Sequence, residues 1–303
     1  MNLDGILAPV TTPFDPQGQI EWESFKLNLQ QYNSFDLAGY VVLGSNGESA
    51  YLSLDEKLKL LETARQAIPA GKTFIAGASV ESTQLCIDFL KKAAALGVDA
   101  ALVGVPHYFR SRMTDEVIAD HYACVADESP VPILLYNVPQ FTGVSISAAV
   151  VARLSNNSRI VGIKDSAGDL GYDQEILHLV ASENFRILIG ASAVVLPGFI
   201  LGMRGAILAI ADALPNLPIQ IYKHYASDWQ AALATQRRLF TPARIVTRFG
   251  VPGLKYAMDL LGFHGGLPRA PLKPLREEEK QMLQDVFRRA GLLEDRRMQS
   301  SRS

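Results

Sequence analysis

The chain has 303 residues, 48% of them hydrophobic and 20% charged, with a formal net charge of −2. This composition can bury one large core, and its scattered Lys and Arg leave no electrostatic footprint for nucleic acid or an anionic membrane. No apolar run reaches the ~18 to 20 residues a membrane span needs.

The two cysteines, Cys86 and Cys124, show neither disulfide nor zinc spacing, so both read as buried thiols. With no basic leader ahead of the first apolar run, the expected compartment is a reducing cytoplasm. Along the chain, short β-branched apolar runs alternate with segments of helical period, and each run stops at a Gly, Pro, Ser or Asn cluster. The spacing predicts strands at 5–10, 39–43, 73–78, 100–105, 132–137, 160–164, 186–190 and 205–209. In 56–68, Leu58, Leu61, Ala64, Ala67 and Ile68 share a helical face behind Ser53 and Glu56, a capping box that fixes the helix start. Segments 82–96 and 115–126 behave alike. The strand runs are continuous rather than alternating, as in parallel strands covered on both faces. Eight such units predict an α/β fold, a (β/α)₈ TIM barrel, over 1–213. Beyond it, 214–240, 254–263 and 276–292 read as helix, which gives the last barrel helix and a C-terminal helical extension over 214–293. The charged, Ser-rich tail 294–303 is expected to fray.

Catalytic groups of such a barrel stand at the C-terminal ends of its strands. The first run ends in Thr11-Thr12, the second in Gly44-Ser45-Asn46-Gly47-Glu48, the fourth in Pro106-His107-Tyr108, the fifth in Tyr136-Asn137 and the sixth in Lys164-Asp165-Ser166. Lysine is depleted from strands, which singles out Lys164; the remaining ten lysines fall on helical or loop segments, where a solvated ammonium is ordinary. Apolar neighbours desolvate its amine, and a neutral amine attacks a ketone to give a Schiff base. The competing reading is an ion pair with Asp165. Tyr136, on the adjacent strand, is placed to pass protons, or is a buried phenol with a satisfied hydroxyl. The Gly44–Gly47 loop offers a hydroxyl and N–H groups to a carboxylate. Glu48 reads as ordering that loop rather than as an acid catalyst, and His107, with no second ligand in sequence, as structural.

Three of these motifs, Gly44-Ser45-Asn46-Gly47-Glu48, Tyr136-Asn137-Val138-Pro139 and Gly162-Ile163-Lys164-Asp165-Ser166, resemble the dihydrodipicolinate synthase/N-acetylneuraminate lyase superfamily, over nearly the whole chain. The resemblance implies a barrel with a helical C-terminal region that joins pyruvate to an aldehyde, or splits it from one, through a lysine Schiff base. No metal or organic cofactor is implied, because the lysine supplies the electron sink. It implies Lys164 as nucleophile, Tyr136 as proton shuttle, and Ser45 with Asn46 as holders of the carboxylate, Ser45 relaying to Tyr136. Tyr108 matches a tyrosine that enters a neighbouring subunit's site, so a homo-oligomer, a dimer of dimers, is expected. Ser166, Gly190, Ile207 and Phe141 complete the expected substrate-binding set.

Within the superfamily, Ser45-Asn46, Glu81-Ser82-Thr83-Gln84, Arg110-Ser111-Arg112-Met113 and the stretch 246–255 resemble the branch that cleaves 4-hydroxy-2-oxoglutarate to pyruvate and glyoxylate. The synthase branch, which condenses pyruvate with aspartate semialdehyde, usually has Thr-Thr in place of Ser45-Asn46 and an arginine in place of Phe141. It stands as the alternative, with Arg110 or Arg112 as the substitute donor. A sialic-acid lyase ranks third, since Phe141 and Val144 offer nothing to sugar hydroxyls. From another class, a catalytically idle barrel acting as a binding protein is opposed by the retention of Lys164 and Tyr136.

Overall fold

Eight strands, β1 (Gly5–Ala8), β2 (Gly39–Val42), β3 (Thr73–Ala78), β4 (Ala100–Gly104), β5 (Ile133–Asn137), β6 (Ile160–Asp165), β7 (Arg186–Ile189) and β8 (Gly205–Ile207), form a closed parallel barrel in sequence order. β1 closes it by pairing with β8, Gly5 opposite Gly205 and Leu7 opposite Ile207. The structure, a computed structural model, describes residues 1–294. The fraying expected of 294–303 therefore falls, Glu294 apart, outside the described residues. Each predicted run supplies a strand, but most end one or two residues earlier, where the chain leaves the ladder to build the mouth; β6 runs one residue further, through Asp165.

The helices are α1 (Trp22–Tyr32), α2 (Leu54–Ala67), α3 (Thr83–Ala95), α4 (Asp115–Glu128), α5 (Pro139–Thr142), α6 (Ala148–Leu154), α7 (Leu170–Leu179), α8 (Val195–Leu201), α9 (Asn216–His224), α10 (Trp229–Leu260) and α11 (Glu277–Arg289). The expected capping box is formed: Ser53 Oγ accepts from the Glu56 N–H, and the Glu56 carboxylate accepts from the Ser53 N–H.

Burial divides into two cores. Inside the barrel sit Leu3, Leu7, Val41, Ile75, Leu102, Leu134, Leu188 and Ile207. A larger core fills the ring between strands and helices.

The extension differs from the expected helices at 214–240 and 254–263. The first break comes early, between α9 and α10; α10 then runs through Pro242 and kinks at Gly250 (φ 63°, ψ −149°), where two helices meet, so that Pro252 stands in the first turn of the second, close to the expected start at 254. An interior proline costs a helix about 3 kcal/mol. α10 buries Leu239, Val246, Leu254 and Met258 among others, at roughly 1.5–3 kcal/mol for each such side chain fully buried, so packing prevails. Cys86 is buried as expected, and burial pushes its thiol up to about 12; Cys124 is instead exposed, on the outer face of α4. No helix among the described residues is long and apolar enough to cross a membrane.

Candidate active site

Tyr136 and Lys164 are register partners on β5 and β6, so their side chains leave the sheet on the same face, into the barrel mouth. Both are buried, and the Lys164 amine lies 4.5 Å from the centre of the Tyr136 ring. The Tyr136 hydroxyl stands 3.4 Å from Ser45 Oγ, completing a row of amine, phenol and hydroxyl. That separation is long, as unliganded catalytic contacts often are. Asp165 is the next residue of the strand and points the other way. Its carboxylate accepts from Asn137 Nδ2 (2.6 Å) and from the Gly168 N–H (3.2 Å). Burial raises its pKa, partly offset by these bonds. The pleat therefore removes the expected competitor: Asp165 makes no ion pair with Lys164.

Ser45 and Asn46 ride on a 3₁₀ turn after β2 that is bracketed by two non-glycine residues of positive φ, Leu43 (67°) and Glu48 (53°). Such conformations cost of order 1–3 kcal/mol each and persist only where neighbours impose them. Here the neighbour is a buried cation. Glu48 pairs at 2.6 Å with Lys255 of α10, both side chains 1% exposed, and Lys255 also donates to the carbonyls of Thr12 and Leu267, each at 2.7 Å. The Arg269 N–H binds the other Glu48 oxygen (2.8 Å), and Thr12 Oγ1 donates to the Gly47 carbonyl (2.8 Å). Glu48 does order the loop, as expected of it. Lys255, expected to be solvated like the other helical lysines, is one of the most buried side chains; desolvation lowers its pKa and Glu48 opposes that shift.

The mouth opens into a cavity of about 550 Å³, lined by Ser45, Asn46, Tyr136, Phe141, Lys164, Ser166 and Gly190 of the expected set. Gly190 has to be glycine, because a Cβ there would collide with Ser166 Oγ and the Asp165 carbonyl. Ile207 is not at the cavity. It is fully buried below it, since β8 ends at this residue with the side chain turned into the barrel. Tyr108 does not line the cavity of its own chain either: it is 77% exposed on the loop after β4, where its N–H and that of His107 donate to Glu81. The His107 ring is also tied to Glu81, at 2.9 Å, in keeping with a structural role. Among the described residues no cluster of His, Cys, Asp or Glu could hold a metal. Arg110 and Arg112, expected as substitute donors, lie outside the lining; the wall has Arg244 and Arg248 of α10 in their stead. Sequence reading also passed over Asp212, in the turn after β8. Its carboxyl is fully buried without a hydrogen-bond partner, and burial holds its pKa well above the ordinary range against the opposing pull of nearby Lys164 and Asn46.

A barrel mouth carrying a buried amine beside a phenol places the chain among lyase-type enzymes of the class I, Schiff-base aldolase kind. The chain belongs to the Dihydrodipicolinate synthetase family, whose model matches residues 2–290. A 4-hydroxy-tetrahydrodipicolinate synthase of Synechococcus sp. is 33% identical over 297 residues, covering 97% of this chain and 95% of its own. One from Methanothrix thermoacetophila is 32% identical over 290 residues, 93% and 95% covered. Among solved structures, a dihydrodipicolinate synthase of Bacillus anthracis superposes with a TM-score of 0.90 at 29% identity, over 95% of this chain and 98% of its own. A prophage protein of the same family from Escherichia coli K12, solved in complex with pyruvate, gives 0.90 at 25% identity, over 95% and 99%. The names of the two sequence relatives are those of the synthase, the reading placed second from sequence.

Proposed function

We propose that this chain is a class I pyruvate aldolase that cleaves 4-hydroxy-2-oxoglutarate to pyruvate and glyoxylate. The observation that carries this reading is the charge of the cavity: among the described residues its wall holds Lys164, Arg244 and Arg248 and no Asp or Glu. A dicarboxylate suits such a wall. Aspartate semialdehyde would bring an ammonium group with no carboxylate of the wall to receive it and two guanidinium groups facing it. Phe141, in the wall where the synthase branch usually has arginine, cannot offer a bidentate bond to that aldehyde's carboxylate.

In this mechanism the Lys164 amine adds to C2 of the substrate and water leaves, forming the iminium ion. The C3–C4 bond then breaks, its electron pair moving into the iminium to leave an enamine on Lys164. The C4 hydroxyl gives up its proton to Tyr136, which frees glyoxylate, and Ser45 lies in line to relay that proton. Protonation of the enamine at C3 and hydrolysis release pyruvate and restore the amine. Ser45 and Asn46 hold the pyruvyl carboxylate, with Ser166 beside them. Tyr108, exposed on its own chain, serves a neighbour's site in a homo-oligomer, a dimer of dimers, working in the cytoplasm.

A second reading, condensation of pyruvate with aspartate semialdehyde, is favoured by the names of the relatives. Side-by-side kcat/KM values decide between the two: aldolase activity is expected to exceed synthase activity, and the reverse order overturns the proposal. Borohydride with pyruvate is expected to add one pyruvyl mass to Lys164. An adduct on another lysine removes Lys164 from the mechanism.

A further inference from the structure

The arginines in the cavity wall have no acidic partner of their own, and Arg248 has only the Phe249 ring, 5.8 Å from its guanidinium carbon. Arg244 and Arg248 stand four residues apart on α10 with Thr247 between them, so all three share one helical face, and that face lines the cavity. Both arginines are exposed, and among the described residues neither makes an ion pair or a side-chain hydrogen bond. The carboxylate whose charge Arg248 affects, Glu279, is already hydrogen-bonded by Arg276. Like charges at this spacing repel on a helix. Two guanidinium groups held side by side over a cavity without an acid form a receptor for an anion, and their forked donors match a carboxylate.

The cavity volume of about 550 Å³ is that of a pocket for a drug-sized ligand, so a pyruvyl unit on Lys164 leaves room toward α10. We propose that Arg244, Thr247 and Arg248 form a second anionic subsite, which holds the far carboxylate of a five-carbon 2-oxo dicarboxylate bound through its ketone to Lys164. The subsite rests on the reading of Lys164 as the Schiff-base lysine. It extends that reading by assigning substrate length and charge to the helical extension rather than to the barrel.

2-Oxoglutarate tests it independently of cleavage, because it has the ketone and both carboxylates but no 4-hydroxyl. Borohydride trapping is measured against 2-oxopentanoate, which has the same length and no far carboxylate, with pyruvate as a reference in every variant. The parent chain is expected to reach half-maximal labelling at a concentration at least about tenfold lower with 2-oxoglutarate than with 2-oxopentanoate, as suits a charge-assisted pair. That ratio should shrink as salt is added. In Arg244→Gln/Arg248→Gln the ratio should fall toward one, and Arg244→Lys/Arg248→Lys should restore part of it. A parent chain without the preference, or a double glutamine variant that keeps it, overturns the subsite. Loss of labelling by pyruvate in the parent chain overturns the Schiff-base reading instead.

Discussion

Tyr136 and Lys164 owe their proximity to a ladder rather than to a loop: register partners on neighbouring strands are held at the ~4.8 Å strand spacing, which no surface fluctuation alters. The phenol therefore has a fixed partner on one side and the Ser45 hydroxyl on the other. Tyr136→Phe is expected to lower kcat by about 10²- to 10⁴-fold, the usual cost of lost acid–base catalysis. Ser45→Ala added to it should cost less than it does alone, since the two act as one relay. Turnover near that of the parent in Tyr136→Phe would remove the relay. Lys164 was legible in the sequence, because a lysine ending an apolar run contradicts strand propensity and Tyr136 ends the neighbouring run; its separation from Asp165 was not, since the ion pair stayed open until the register of β5 and β6 was known. Lys255 and Asp212 were not legible. A lysine in a helical segment normally reaches water, and an acid after a strand normally begins a solvated turn; only the closed barrel brings Lys255 to Glu48 and seals Asp212 beneath the mouth.

At the scale of elements, the 3₁₀ turn carrying Ser45 and Asn46 is strained at both ends and is restrained from α10, on the far side of the chain's topology. Lys255→Met should destabilise the fold by about 3–5 kcal/mol in denaturant titration, because it leaves the Glu48 carboxylate buried without its cation. Lys255→Met/Glu48→Leu should recover much of that loss, since an apolar pair of similar volume tolerates burial. A cost under about 1 kcal/mol for the single variant would show that the pair does not clamp the turn. The strands were readable because their apolar runs have no other use. The course of α10 was legible only in its second half: Gly250 and Pro252 mark the kink, whereas Pro242 signals a stop that burial against the barrel overrides.

At the scale of the whole molecule, the buried groups His121 and Asp212 tie stability to pH in opposite directions. Burial lowers the His121 pKa from 6.5 to about 4, so the unfolded chain takes up a proton first and this stabilising contribution is lost as pH falls from about 6.5 toward 4. Asp212 behaves in reverse. Its folded pKa is raised by burial, so the unfolded chain releases the proton first, and stability falls as pH rises above about 4. Asp212→Asn should therefore raise the Tm at pH 8 relative to the parent, with the difference vanishing near pH 4; an equal difference at both values would mean that no proton is involved. The barrel's extent was legible from its eight-fold rhythm, and we propose 213 as a boundary of topology alone, because Arg244, Arg248 and Lys255 return from beyond it to the mouth. That return also sets an order of assembly. β8 precedes Lys255 in the chain, so every strand of the barrel is synthesised while Glu48 still lacks its cation. The clamp on Glu48 is made last, and a translation product that stops short of Lys255 carries every strand of the barrel and Lys164 itself, yet holds the Ser45–Asn46 turn only through the Thr12 bond to Gly47.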